Sequence, residues 1–210
     1  MAEVVYSKKE ELWNAWSHAA GIVLGIAGLV LLLVYDTHKT PFSTLSLILY
    51  GISIILLYSA STAYHSVVGI NNKRRLRILD HIGIYLLIAG TYSPVVLISL
   101  ESGKGWMLFW IVWGIAAFGT VLKIFFTGRF EVFSLLLYLV MGWLVVIDFS
   151  AVVEAHSTLG LTLLAIGGAC YTFGTIFYAV ERIPYNHAIW HFFVLAGSVF
   201  HFFFIFLDVI

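Results

Sequence analysis

Pro184-Tyr-Asn-His187-Ala-Ile-Trp-His191 opens an apolar run that continues FFVLAGSVFHFFFIFLD, so that residues 187–208 match the thickness of a bilayer's hydrocarbon core. A stretch of that length with so few charges predicts a membrane-spanning helix. On a helix, His187 and His191 stand four residues apart, on one face and about one turn from each other. Two neutral imidazoles so placed can hold a divalent metal, usually zinc, when other segments supply the remaining ligands. The plainer reading is a pair of interfacial histidines hydrogen-bonded to backbone or headgroups. Ionisable groups at the mouth of an apolar span are costly, which favours a functional role.

Outward from this run, the chain repeats the pattern. Of 210 residues, 61% are hydrophobic and only 10% charged, with a mean hydropathy of +1.01, and no water-soluble domain needs that much apolar surface. Apolar runs fall at approximately 18–35, 43–68, 79–100, 106–125, 132–153, 159–180 and 187–208. They are too long for strands and lack barrel alternation. The expectation is an all-α membrane protein, a seven-transmembrane helix bundle in one domain over 1–210, multi-pass in a plasma membrane of the bacterial inner-membrane type. The mixed residues before the first run carry no small-residue cleavage site and predict an uncleaved signal anchor. Lys8, Lys9, Lys73, Arg74, Arg75, Arg77, Lys123, Arg129 and Arg182 fall on one side of this topology, and only Lys39 and Lys104 on the other. Nine against two places the amino terminus in the cytoplasm and the carboxyl terminus outside. A formal net charge of zero argues against nucleic acid as a partner, and the lone Cys170 excludes an internal disulfide.

Within the spans, Gly21, Gly25 and Gly28 in the first helix and Gly167, Gly168 and Gly174 in the sixth predict close helix packing. Pro94 predicts a kink in the third helix, with freed carbonyls left for Ser93 or neighbouring helices to satisfy. Trp13, Trp16, Trp106 and Trp110 read as interfacial anchors.

The polar residues of three distant segments converge at one depth. The second helix closes with Ser61-Thr-Ala-Tyr-His65, the third opens with Asp80-His81, and the seventh opens with His187 and His191. Accidental polar residues would not share a depth. The candidate zinc ligands are therefore His65, His187 and His191, leaving the fourth tetrahedral position open, as in catalytic sites. Asp80 could ligate directly or through water, holding and deprotonating that water. Ser61 could hydrogen-bond the water or a substrate oxygen, or instead bond back to the carbonyl four residues earlier. Asp80 and Ser61 are the candidate catalytic residues. His81 points about 100° away from Asp80 and is expected to meet headgroups or a neighbouring helix. His201, about 15 Å beyond His191, reads as an interhelical hydrogen bonder. His18 is the rival ligand. His38 and His156 fall in outer loops without an evident metal partner. Asp148 and Asp208 read as snorkelling or capping groups, and Glu181 with Arg182 as a solvated boundary.

The opening Glu11-Leu-Trp-Asn14-Ala-Trp-Ser17-His18-Ala-Ala-Gly21, followed by Ser61 through His65, Asp80, and His187 through His191, resembles the hemolysin III family and its relatives, the progestin and adipoQ receptors, within a wider superfamily that includes alkaline ceramidases. The resemblance implies seven helices, a cytoplasmic amino terminus, zinc on His65, His187 and His191, and Asp80 close to the bound water. Ser17 stands where threonine is common, which keeps the hydroxyl. The long amino-terminal region of the animal receptors is missing here, which favours the compact bacterial branch. Three functions follow as expectations. The first is a zinc-dependent hydrolase of lipid amide or ester bonds, with a membrane lipid such as a sphingolipid or fatty acid as partner. The second is a lipid-responsive receptor or membrane-homeostasis protein with a structural zinc. The third is a pore former or transporter, which the confinement of polar groups to one end disfavours.

Overall fold

The computed structural model describes residues 6–210. Seven helices in it are long and apolar enough to cross a membrane: α1 (Lys8–Val34), α2 (Ser43–Ser66), α3 (Ile70–Ser99), α4 (Gly105–Phe126), α5 (Glu131–Ala155), α6 (Thr158–Ala179) and α7 (Asn186–Val209). No strand occurs among the described residues. Large apolar side chains such as Val23, Val30, Phe125, Leu136 and Phe173 are exposed on the bundle's flanks, the arrangement hydrocarbon solvates. The chain is a multi-pass membrane protein.

Two helices start earlier than their hydropathy indicates. Ser7 caps α1, accepting from the Glu10 N–H at 3.2 Å while the Glu10 carboxylate accepts from the Ser7 N–H at 3.0 Å. This reciprocal box satisfies two of the four orphan donors of a helix start. Helix α1 therefore begins at Lys8, ten residues before the expected 18, and Asn14, Ser17 and His18 lie on its buried face. Helix α3 begins at Ile70 rather than 79, so Lys73, Arg74, Arg75 and Arg77 are helical.

Two helices change gauge. Helix α3 stays α-helical through Pro94 and then widens into a π turn over Val95–Ser99. Beside the proline, the Ser93 hydroxyl donates to Ala89 O at 2.9 Å and accepts from Trp113 Nε1 at 3.1 Å, so Ser93 ties α3 to α4. The expected continuous helix over 132–153 is interrupted: Glu131–Gly142 is α-helical, Leu144–Asp148 is 3-10, and Phe149–Ala155 is α-helical again. The cause lies in α3, where Tyr92 Oη donates to Gly142 O at 2.9 Å and accepts from Val145 N–H at 2.8 Å. One phenol thus takes both groups that a break inside a membrane would leave unpaired.

Helices α1 to α4 pack in sequence, α6 packs on α7, and α7 returns against α1, whereas α5 touches its neighbours lightly. A Cβ on Gly21 would come within 2.6 Å of the Tyr58 ring, and one on Gly167 within 2.2 Å of His201. These glycines set the α1–α2 and α6–α7 distances. Gly168 differs from the packing role expected of it: a Cβ there would meet nothing within 4 Å among the described residues, and Gly168 lines a cavity. That cavity, about 490 Å³, lies among α3, α5, α6 and α7. Trp13, Trp16 and Trp110 are exposed as anchors should be, but Trp106 meets Phe42 edge to face at 4.8 Å.

Candidate metal centre

The last turn of α2 and the first two turns of α7 bring three imidazoles together. One ring nitrogen each from His65, His187 and His191 lies within 4.8 Å of the others, and the ring centroids are 4.5–5.1 Å apart. His65 and His191 are buried and His187 is half-buried. This group could hold a metal ion.

The hydrogen bonds define which nitrogens are free to ligate. His65 Nδ1 lies 2.6 Å from Glu11 Oε2, and because a carboxylate only accepts, Nδ1 carries the proton and Nε2 keeps the lone pair. By the same reasoning His191 Nδ1–H donates to Asn14 O at 3.1 Å. The Nε2 atoms of His65 and His187 are buried and have no hydrogen-bond partner among the described residues. Buried polar atoms without partners are costly, and a divalent cation shared by these imidazoles relieves that cost. The donor set therefore fits a zinc-like ion.

Around this centre the structure distributes the remaining candidates. Asp80 is buried on α3, facing His65 and Ser61, outside the mutually close trio of imidazoles. Ser61 Oγ is fully buried on the side of Asp80 and does not bond back to the carbonyl four residues earlier. His18 stacks on His191 rather than joining the trio. His81 turns away, as its neighbouring position on the helix requires, and its Nδ1 lies 3.5 Å from Glu131 Oε2. His201 Nε2 donates to Leu164 O across the α6–α7 interface at 3.3 Å.

Three residues at the centre carried no role in the sequence reading. Glu11 and Asn14 hold the two ligand imidazoles from α1. Their signal was the spacing Glu11, Asn14, Ser17 and His18 along one helix face, hidden by the assumption that the helix begins later. Tyr6 stacks on His187 with ring centroids 5.0 Å apart, and burial first, then the nearby Tyr64 and Glu11, push its phenol pKa above the ordinary value. At the far end of the bundle the acids are paired, and Asp208 also takes the Ser157 N–H at the cap of α6, in keeping with the capping role expected of it. His156 and Asp208 pair at 2.8 Å, and Asp148 pairs with Lys104 at 3.3 Å. Lys123, one of the nine basic residues on the side of the metal centre, is fully buried and bonded to Glu131 at 2.8 Å.

A seven-helix membrane protein with a histidine trio at one end of an apolar cavity is the class that this fold and site define. The family profile described as Haemolysin-III related matches residues 6–202, and the chain belongs to that family. It is 42% identical to Hemolysin-3 of Bacillus cereus over 204 residues, covering 97% of this chain and 93% of that one. It is 44% identical to the Hemolysin-3 homolog of Bacillus subtilis (strain 168) over 200 residues, 95% and 94% of the two chains. The human Monocyte to macrophage differentiation factor is 30% identical over 202 residues, 92% of this chain and 82% of that protein.

Proposed function

We propose that this protein is a membrane-embedded hydrolase of lipid amide or ester bonds, with zinc held by His65, His187 and His191. The observation that carries this reading is the juxtaposition of the imidazole trio, the buried Asp80 carboxyl and the cavity of about 490 Å³, which Asp80, His187 and His191 all line at one end. The rest of the lining is mostly apolar, with Leu57, Ile84, Ile88 and Val194 among its residues, which suits an acyl chain. A zinc ion, when bound, supplies Lewis acidity to an acyl carbonyl and lowers the pKa of water toward 7. Asp80 would act as the base that takes a proton from attacking water and returns it to the leaving group. Ser61 supplies a hydroxyl to orient the water or the acyl oxygen.

A second reading, a lipid-responsive receptor with a structural metal, draws on the ties through which α1 holds α2 and α7 at the centre. One experiment separates them. Purified protein is assayed for bound zinc, melting temperature and release of fatty acid from ceramides and acyl esters in bilayers. For a proton-transferring Asp80, Asp80→Asn keeps zinc and melting temperature while hydrolysis falls about 10²–10⁴-fold. Zinc-loaded, folded wild type that releases no acyl product across the panel overturns the hydrolase and favours the receptor.

A further inference from the structure

Glu11 sits on the first turn of α1 with its two oxygens divided between two other helices. Its Oε2 takes the His65 Nδ1–H at 2.6 Å, and its Oε1 takes the ammonium of Lys73 on α3. Lys73 is itself held over the Tyr64 ring, 5.1 Å from its centroid. Glu11 is mostly buried, with 18% of its side chain exposed, and the His65 side chain is fully buried. A carboxylate in that position fixes the tautomer that presents Nε2 to the centre and holds the ring plane. Lys73 supplies the opposite charge that holds the carboxylate in place. His191 is oriented differently, by the neutral carbonyl of Asn14, so only one of the two ligand imidazoles held from α1 has a charged partner.

We infer that Glu11, supported by Lys73, is the positioning residue of the metal centre, acting through His65 as the charged member of a carboxylate–histidine–metal relay. The inference rests on the metal centre proposed above. It assigns the amino-terminal turns of α1 a part in ion affinity, beyond helix packing.

The test uses full-length protein in bilayer discs, stripped of metal and titrated with Co²⁺, read by visible absorption, and with Zn²⁺ by competition. Glu11→Gln is expected to weaken binding about 10- to 100-fold, with little change in the melting temperature of the metal-free protein. Lys73→Met is expected to lose less, because Glu11 remains on His65. In a His65→Ala background, Glu11→Gln should cause no further loss of affinity, since its route to the ion is gone. Unchanged affinity in Glu11→Gln overturns the inference. So does a loss that persists in the His65→Ala background, or an equal loss in Lys73→Met, because either would make Glu11 a helix tie alone. If Glu11→Gln does not fold, Glu11→Asp, which keeps the charge and shortens the reach, should show an intermediate loss, and wild-type affinity there also counts against the inference. Wild type that binds neither ion removes the metal centre itself, whereas wild type and Glu11→Gln binding equally well remove only the role of Glu11.

Discussion

The imidazole of His18 lies flat on that of His191, with ring centroids 3.7 Å apart and planes 10° apart. Parallel stacking leaves the in-plane lone pairs of the two rings in separate, nearly parallel planes, which is a poor geometry for converging on one ion. Both His18 nitrogens are buried without a partner among the described residues, and His18 lines the cavity. His18 is therefore expected to meet the polar end of whatever occupies the cavity. His18→Gln should retain bound zinc, whereas His65→Ala, His187→Ala and His191→Ala should each lose most of it, because three protein ligands leave none to spare. Metal content of the purified variants decides this, and loss of zinc from His18→Gln would return His18 to the ligand set.

Lys123 is fully buried, and Glu131 answers it from α5 at 2.8 Å. Glu131 also takes the Gly128 N–H at 2.9 Å and stands 3.7 Å from Arg77 Nη2. Removing one partner strands the other in a low-dielectric setting, which costs on the order of 3 kcal/mol. Lys123→Ala and Glu131→Ala should each lower thermal stability clearly. Lys104→Ala should scarcely matter, because Lys104 is about half exposed where it meets Asp148. Equal melting temperatures for the Lys123 and Lys104 variants would show that the buried pair is not holding α4 to α5.

How much of this was legible in the sequence depends on the reach of each interaction. The spans and the shared depth of His65, Asp80, His187 and His191 follow from hydropathy and helical period, which are local. The early start of α1 was also local, written in the Ser7 to Glu10 box, but the polar residues between Lys8 and His18 mask it from any apolar window. The extra turns of α3 are masked in the same way by the run from Asn71 to Arg77. The break in α5 could not be read, since nothing near Gly142 signals that a phenol fifty residues earlier takes its carbonyl. Glu11 was visible as a residue and silent as a partner, because His65 lies fifty-four positions away.

Orientation in the membrane follows from charge, and the structure changes the count. Removing the buried Lys123 from the nine basic residues at the metal-centre end leaves eight, against Lys39 and Lys104 at the other. The positive-inside rule then still predicts the metal-centre end in the cytoplasm. Reporters fused before α1 and after Ile210 should read cytoplasmic and external respectively. The same side for both would contradict seven crossings, and the reverse order would place the centre outside.

At the other end of the bundle, His156 joins α5 to α6 and its Nδ1–H donates to Asp208 Oδ2 at 2.8 Å. Asp208 also accepts from the Ser157 N–H, at 3.2 Å and 3.3 Å to its two oxygens, at the cap of α6. Lys39 approaches the same corner, bonding Val209 O at 3.0 Å. Burial lowers the His156 pKa below its ordinary 6.5 and Lys39 adds to this, while the hydrogen bond and charge of Asp208 oppose it. The native state thus holds His156 neutral at a pH where the unfolded chain would begin to protonate it. Stability from this corner is fully present above about pH 6.5 and is lost as pH falls from there through the lower folded pKa. Acidification should therefore raise amide exchange at residues 157–161 before it reaches the core of α6. His156→Leu, which cannot titrate, should flatten that dependence while losing the bond to Asp208. The same acid-induced exchange in wild type and His156→Leu would show that another group, not this histidine, senses the proton.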